Sequence, residues 1–138
     1  MLATLGFPSM SAQRDPCTGI EKDAVKARNW DSVYRTYKRY EGCENVAAGE
    51  GFSEAVARIL VDQWSTLPRV AKLGARNADF RRFVLGCINA TLDMKDVERI
   101  KALANSSCPR RLDAVCRDLV RQADAAFEED RHYREKKE

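Results

Sequence analysis

Apolar residues recur at intervals of three and four positions along most of the chain, which is the spacing of one face of an α-helix. The seven glycines and four prolines are sparse and lie mostly between these stretches, which suits helices joined by short turns better than many short strands. The clearest stripe lies near the C-terminus and consists of Leu112, Val115, Cys116, Leu119, Val120, Ala123 and Phe127. The pattern predicts an all-α fold, a single compact bundle of about five to seven helices.

Two shorter stripes near the N-terminus predict a helical hairpin. Their members are Ile20, Ala24 and Ala27, then Trp30, Val33, Tyr37 and Tyr40. Asn29 separates the two stripes. If the two helices are antiparallel, Cys17 at the start of the first lies beside Cys43 just after the end of the second, so these two cysteines are the natural disulfide pair.

Capping residues and prolines predict where the middle helices begin and end. Ser53 is expected to cap a helix that ends at Pro68, and a short helical turn should follow it. Asn77 and Asp93 can each cap a further helix, because their side chains accept hydrogen bonds from first-turn N–H groups. The helix that starts at Asn77 is expected to include Asn89.

The two ends of the chain differ in composition from its middle. Residues 1–12 contain a short apolar stretch followed by Ser9-Met10-Ser11-Ala12, small residues typical of a signal-peptidase site with cleavage after Ala12. They are interpreted as a signal-peptide remnant or a disordered N-terminus. Residues 128–138 are almost all charged and are expected to be a frayed or disordered tail. Residues 13–127 are then the helical domain.

Charge and hydropathy argue against nucleic-acid binding and against a transmembrane segment. Lysine and arginine number 24 against 21 acidic residues, and the signs are interspersed, so the net charge of +3 does not point to nucleic acid. No run of 18 or more apolar residues occurs, so no transmembrane segment is predicted.

The five cysteines indicate disulfides rather than a metal site. They include no C-x2-C pair and the chain has a single histidine, whereas structural zinc sites need closely spaced ligands. Cys87 shares an apolar stripe with Phe83 and Ile88 and is interpreted as a buried free thiol. Cys108 and Cys116 are then the second pair, provided that the last helix begins near residue 112. One or two disulfides predict a periplasmic or secreted protein, with no metal and no cofactor.

The candidates for catalysis are carboxylates. Glu50 and Glu54 are four residues apart and could form an acid–base pair, although carboxylates at the start of a helix are also favoured by the helix dipole alone. Ser53 has no histidine to activate it except His132 in the charged tail. The protein is therefore predicted not to be an enzyme, and a small carboxylate-dependent hydrolase stays as an alternative.

The candidates for binding lie on the second helix of the hairpin, outside its apolar stripe. Tyr34, Arg35, Lys38 and Arg39 combine an aromatic ring with long cations, which suits an interface with another protein, although a solvated helix face explains them equally well. A further alternative is a small-ligand or lipid carrier with an apolar cavity. The aromatic residues expected to line that cavity are Trp30, Trp64, Phe80 and Phe83.

The layout of cysteines and helices resembles small helical exported proteins of proteobacteria, such as the amidase immunity proteins of type VI secretion. The likeness rests on Cys17 and Cys43, the Trp30-Asp31 helix, the helix from Ser53-Glu54 to Trp64, and the segment from Cys108-Pro109 to Cys116. The resemblance implies an exported, non-catalytic protein that binds and neutralises a periplasmic toxin. It carries over no individual inhibitory residue.

Overall fold

A computed structural model describes residues 17–43 and 50–137 and confirms the all-α prediction. Those residues form seven α-helices and a single 3₁₀ turn, with no strand among them. The helices are α1 (Ile20–Val25), α2 (Trp30–Arg39), α3 (Glu50–Asp62), α4 (Leu67–Arg76), α5 (Ala78–Gly86), α6 (Met94–Ser106) and α7 (Asp113–Lys137), with the 3₁₀ turn at Trp64–Thr66 between α3 and α4. Residues 1–12, the predicted signal-peptide remnant, lie outside the described part of the chain. None of the described helices is both long enough and apolar enough to cross a membrane.

The N-terminal hairpin forms as predicted. The Asn29 side chain accepts a hydrogen bond from the Ser32 N–H and caps α2. A disulfide joins Cys17 to Cys43, with their Cα atoms 5.7 Å apart. Helix α1 packs closely on α3: a Cβ atom at Gly51 would lie only 2.9 Å from the Glu21 carbonyl oxygen. Glycine at position 51 is what permits this close approach.

The core is built around aromatic rings from three helices. Phe80 of α5 packs edge-on against Tyr34 and at a tilt against Tyr37, both from α2. Phe83 contacts the ring of Phe52 from α3 at right angles. Phe52 and Phe80 are completely buried, so this cluster anchors α2, α3 and α5 to one another.

Two tryptophans tie the 3₁₀ turn to distant parts of the chain. The Trp30 indole is buried and its Nε1–H donates to Thr66 Oγ1 at 3.0 Å. The Trp64 indole is half-buried, and its Nε1–H donates to the Ser107 carbonyl oxygen at 2.8 Å. Ser107 follows the end of α6 and immediately precedes Cys108.

The second disulfide also forms as predicted. Cys108 and Cys116 are joined with their Cα atoms 6.2 Å apart, because the chain turns back before α7 begins at Asp113. Arg111 has a positive φ of 67° within this turn, a backbone conformation uncommon outside glycine. Cys87 is a free, fully buried cysteine.

Three predicted boundaries in the middle of the chain were wrong. Ser53 lies inside α3 and is buried rather than capping it. Pro68 stands in the first turn of α4 rather than ending the preceding helix, because the N–H that proline lacks has no intrahelical partner there. Helix α5 ends at Gly86, so Asn89 lies in the turn that follows and not within the helix. Asn77 and Asp93 do cap α5 and α6.

The charged C-terminal segment also differs from the prediction of a frayed or disordered tail. Helix α7 continues through residues 128–137. Oppositely charged side chains stand three or four residues apart along it, as in the pairs of Arg131 with Glu128 and Arg134 with Asp130. Such pairs stabilise an exposed helix by about 0.2–0.5 kcal/mol each. Composition alone did not reveal this spacing of charges.

Candidate functional site

The predicted partner-binding face of α2 is only partly free. Tyr34 is half-buried, with its ring against Phe80 and its hydroxyl 3.5 Å from the Asn77 side-chain amide. Tyr34 therefore contributes to the core as well as to the surface. A Tyr34→Ala substitution would disturb packing and is unsuitable as a test of binding.

The cations of this face are mostly engaged within the chain. Lys38 donates to Glu41 at 2.9 Å, a hydrogen bond that raises the pKa of Lys38. Arg39 lies 3.2 Å from Asp23 of α1. Arg35 is exposed and has no ion-pair partner among the described residues. Among the described residues, Arg35 is thus the one of the three predicted cations that forms no ion pair.

The two candidate catalytic carboxylates are exposed at the start of α3. Glu50 is the first residue of the helix, and Glu54 lies one turn later, 3.2 Å from the Arg58 guanidinium. Arg58 also pairs with Asp96 at the start of α6. Glu54 therefore belongs to an ion-pair network that links α3 to α6. His132, the chain's single histidine, lies in the last turns of α7 beside Glu128.

Cys87, Ser53 and Asn89 form a small polar cluster inside the molecule. The Asn89 side-chain nitrogen donates to Ser53 Oγ at 3.2 Å and to the Gly86 carbonyl oxygen at 2.9 Å. The Cys87 side chain also hydrogen-bonds to Ser53, but burial dominates and raises the pKa of Cys87 to about 12. The cluster holds α3 against the end of α5 and keeps Cys87 protonated at neutral pH.

We expect Cys87 to resist alkylation in the folded protein at pH 8. With a pKa near 12 instead of 9.0, its thiolate fraction falls roughly 1,000-fold. Mass spectrometry after iodoacetamide treatment should find one modified thiol only when urea is present. Rapid labelling without denaturant would contradict the burial.

Because of the same burial, the free energy of unfolding should decline as pH rises from about 9 to 12, since the thiol of the unfolded chain loses its proton first.

The aromatic residues predicted to line a ligand cavity lie in the core instead. Trp30, Phe80 and Phe83 are buried, while Trp64 is half-buried and hydrogen-bonded to Ser107. None of them lines the groove described next. They hold helices together, so the predicted lining of a carrier cavity was wrong.

An apolar groove lies where α4, α5 and α7 meet over the end of α3. Its volume is about 180 Å³. Apolar side chains and one glycine form most of its wall: Leu60, Val70, Gly74, Val84, Val115 and Leu119. A Cβ atom at Gly74 would lie 3.1 Å from the Cβ atom of Arg81, so the glycine allows α4 and α5 to approach each other at the groove.

The charged side chains at the groove are Arg81 and Asp118, which form an ion pair across it from α5 to α7. Asp118 also pairs with Arg121 at 2.8 Å. Two guanidinium groups thus share one carboxylate, and these three side chains together carry one positive charge in excess. No sequence pattern identified this site. The small residues Ala71, Gly74 and Ala75 at helical spacing were the available signal for a shallow helix face.

Comparison with known proteins adds no relative to this description. No protein-family model matches the chain, and no curated protein or solved structure shows significant similarity to it. The resemblance to amidase immunity proteins thus stays an expectation. Within residues 17–43 and 50–137, no three His, Cys, Asp or Glu side chains are grouped so that they could hold a metal ion.

Proposed function

We propose that this protein is a disulfide-stabilised binding module that docks a protein partner in the groove between α4, α5 and α7. The groove itself is the observation that carries the proposal. Its wall is apolar, whereas the charged side chains at its edge, Arg81 and Asp118, form an ion pair. An apolar recess with a charged rim is the form that a binding hot spot takes.

The size of the groove favours a protein anchor over a lipid or a larger ligand. Pockets for drug-sized molecules measure roughly 300–1,000 Å³. A cavity of roughly 150 Å³ lined by apolar side chains accommodates benzene. A groove of about 180 Å³ therefore fits one large apolar or aromatic side chain. A carrier function for lipids or larger ligands is therefore second to protein binding.

The compartment and the partner's identity are further parts of the proposal. Two disulfides in a chain of this size are typical of proteins from oxidising compartments, which supports a periplasmic or secreted location. The predicted signal-peptide remnant at residues 1–12 supports the same location. The resemblance to immunity proteins suggests that the partner is an exported toxin or enzyme, which this protein would neutralise without catalysis of its own.

We expect groove-filling substitutions to weaken partner binding at least tenfold, which corresponds to about 1.4 kcal/mol. Ala75→Phe and Ala114→Phe each place a ring at the groove from opposite walls, α4 and α7. Both alanines are exposed, so the fold should tolerate the change. The partner is isolated from the native oxidising compartment as a stoichiometric complex, and its affinity for each variant is measured by titration calorimetry.

Ala125→Phe is the matched control, because Ala125 is also exposed on α7 but does not line the groove. It should leave the affinity unchanged. Charge reversal at Arg35 and Lys38 tests the predicted face of α2 in the same titration. If only that reversal weakens the complex, the interface lies on α2 and the groove proposal fails. If no stoichiometric complex forms with any protein, the binding function itself fails.

A further inference from the structure

We propose that the partner's anchor is an apolar or aromatic side chain next to a carboxylate, and that Arg81 leaves Asp118 to bind this carboxylate. The inference rests on the proposed function and adds the chemistry that the groove selects. It depends on how charge is distributed at the groove, not on the groove's shape alone.

Arg81 stands where it can contact an occupant. Arg81 lines the apolar groove, and its side chain is 45% exposed. Asp118 is more enclosed, at 23% exposed, so the arginine is the member of the ion pair that an incoming group can reach more easily. An arginine in this position can present two parallel N–H groups to an incoming carboxylate.

Release of Arg81 would not leave Asp118 without a counter-charge. Arg121, one turn along α7, donates to the other oxygen of the same carboxylate at 2.8 Å. A half-buried carboxylate that lost its sole partner would carry a desolvation penalty. Because Arg121 keeps Asp118 paired, the exchange of Asp118 for a partner carboxylate at Arg81 costs little.

The excess positive charge decides between acidic and basic anchors. Two guanidinium groups surround one carboxylate, so an acidic neighbour of the anchor is attracted and a basic one is repelled. Leu60, Val70 and Leu119 exclude charge from the groove interior, so the carboxylate must stay at the rim while the apolar group fills the recess. The groove thus selects a pair of side chains, one apolar and one acidic.

Three capped dipeptides test this selection on the purified protein without its partner. The probes are acetyl-Glu-Phe-amide, acetyl-Lys-Phe-amide and acetyl-Glu-Ala-amide, titrated into ¹⁵N-labelled protein and followed by NMR. We expect the amide signals of Gly74, Val84 and Val115 to shift most. The Glu-Phe peptide should bind about two- to fivefold more tightly than the Lys-Phe peptide, and the Glu-Ala peptide should bind most weakly.

Arg81→Gln should abolish the preference for the acidic peptide while the aromatic peptides still bind. Arg82→Gln is the matched control, since Arg82 is the next residue, pairs with Asp79 and does not line the apolar groove. It should leave the preference intact. Equal binding of the Glu-Phe and Lys-Phe peptides, or signal shifts outside the groove, would overturn the inference.

The two proposals fail in different ways. If Ala114→Phe weakens the native complex but the peptides show no charge preference, the docking function stands and the acidic anchor is wrong. If the peptides show the preference but Ala114→Phe leaves the native complex unchanged, the groove selects such groups without docking the partner. That second result overturns the docking proposal and this inference with it.

Discussion

Replacement of the four bridged cysteines by serine is expected to remove a large part of the protein's stability. Chain-entropy arguments give about 3.5 kcal/mol for the bridge between Cys17 and Cys43, which are 26 residues apart in sequence. They give about 2.5 kcal/mol for Cys108 and Cys116, which are 8 residues apart. Domains of this kind have total stabilities of about 5–15 kcal/mol, so the loss of both bridges should leave the fold marginal.

Urea unfolding followed by circular dichroism measures the effect, with each pair removed separately and then together. The pair at Cys17 and Cys43 should cost more, because it closes the longer loop. A reductant should destabilise the native protein but not the fourfold serine variant, which serves as the control. Equal midpoints for native protein and variant would show that the bridges contribute nothing to stability.

The second large effect is expected at Phe80, where substitution by alanine should lower the free energy of unfolding by about 3–5 kcal/mol. Phe80 is fully buried, and its ring contacts Tyr34, Tyr37 and Phe83. Removal of the ring leaves a cavity where α2 and α5 meet. The disulfides cannot compensate for this loss, because neither bridge joins these two helices.

Phe127→Ala is the comparison variant, because Phe127 is half-buried at the edge of the core on α7. It removes the same number of atoms but should cost less than half as much. Both variants are measured by thermal and urea unfolding under oxidising conditions. A similar loss for both would contradict the role of the aromatic cluster as the centre of the core.

The parts of the fold that the sequence predicted are those fixed by local periodicity and capping. The stripe from Leu112 to Phe127 predicted α7, and Asn77 and Asp93 cap their helices as expected. Both disulfides followed from where the helices begin and end. The predictions were wrong where one residue type is compatible with two local structures. Pro68 can follow a helix or begin one, and the choice depends on the 3₁₀ turn before it, which Trp30 stabilises from another helix.

The candidate site was harder to predict because it depends on contacts between distant segments. The groove joins residues of α4 and α5 to residues of α7, and no local pattern relates Arg81 to Asp118, which lies 37 positions later. On α2, periodicity correctly placed Arg35, Lys38 and Arg39 outside the core. It did not reveal that Asp23 on the neighbouring helix pairs with Arg39.

The two tryptophans give the molecule a pair of natural fluorescent reporters. The Trp30 indole is hydrogen-bonded to Thr66 and the Trp64 indole to the Ser107 carbonyl oxygen, so the two indoles report on two different contacts of the 3₁₀ turn. The Trp30 indole is excluded from water and the Trp64 indole is partly hydrated, so their emission differs in the folded protein. Variants that keep only one tryptophan would therefore separate the optical signal of the contact between the turn and α2 from that of the contact between the turn and Ser107. Such signals would reveal whether the turn separates from α2 and from the end of α6 in one step or in sequence.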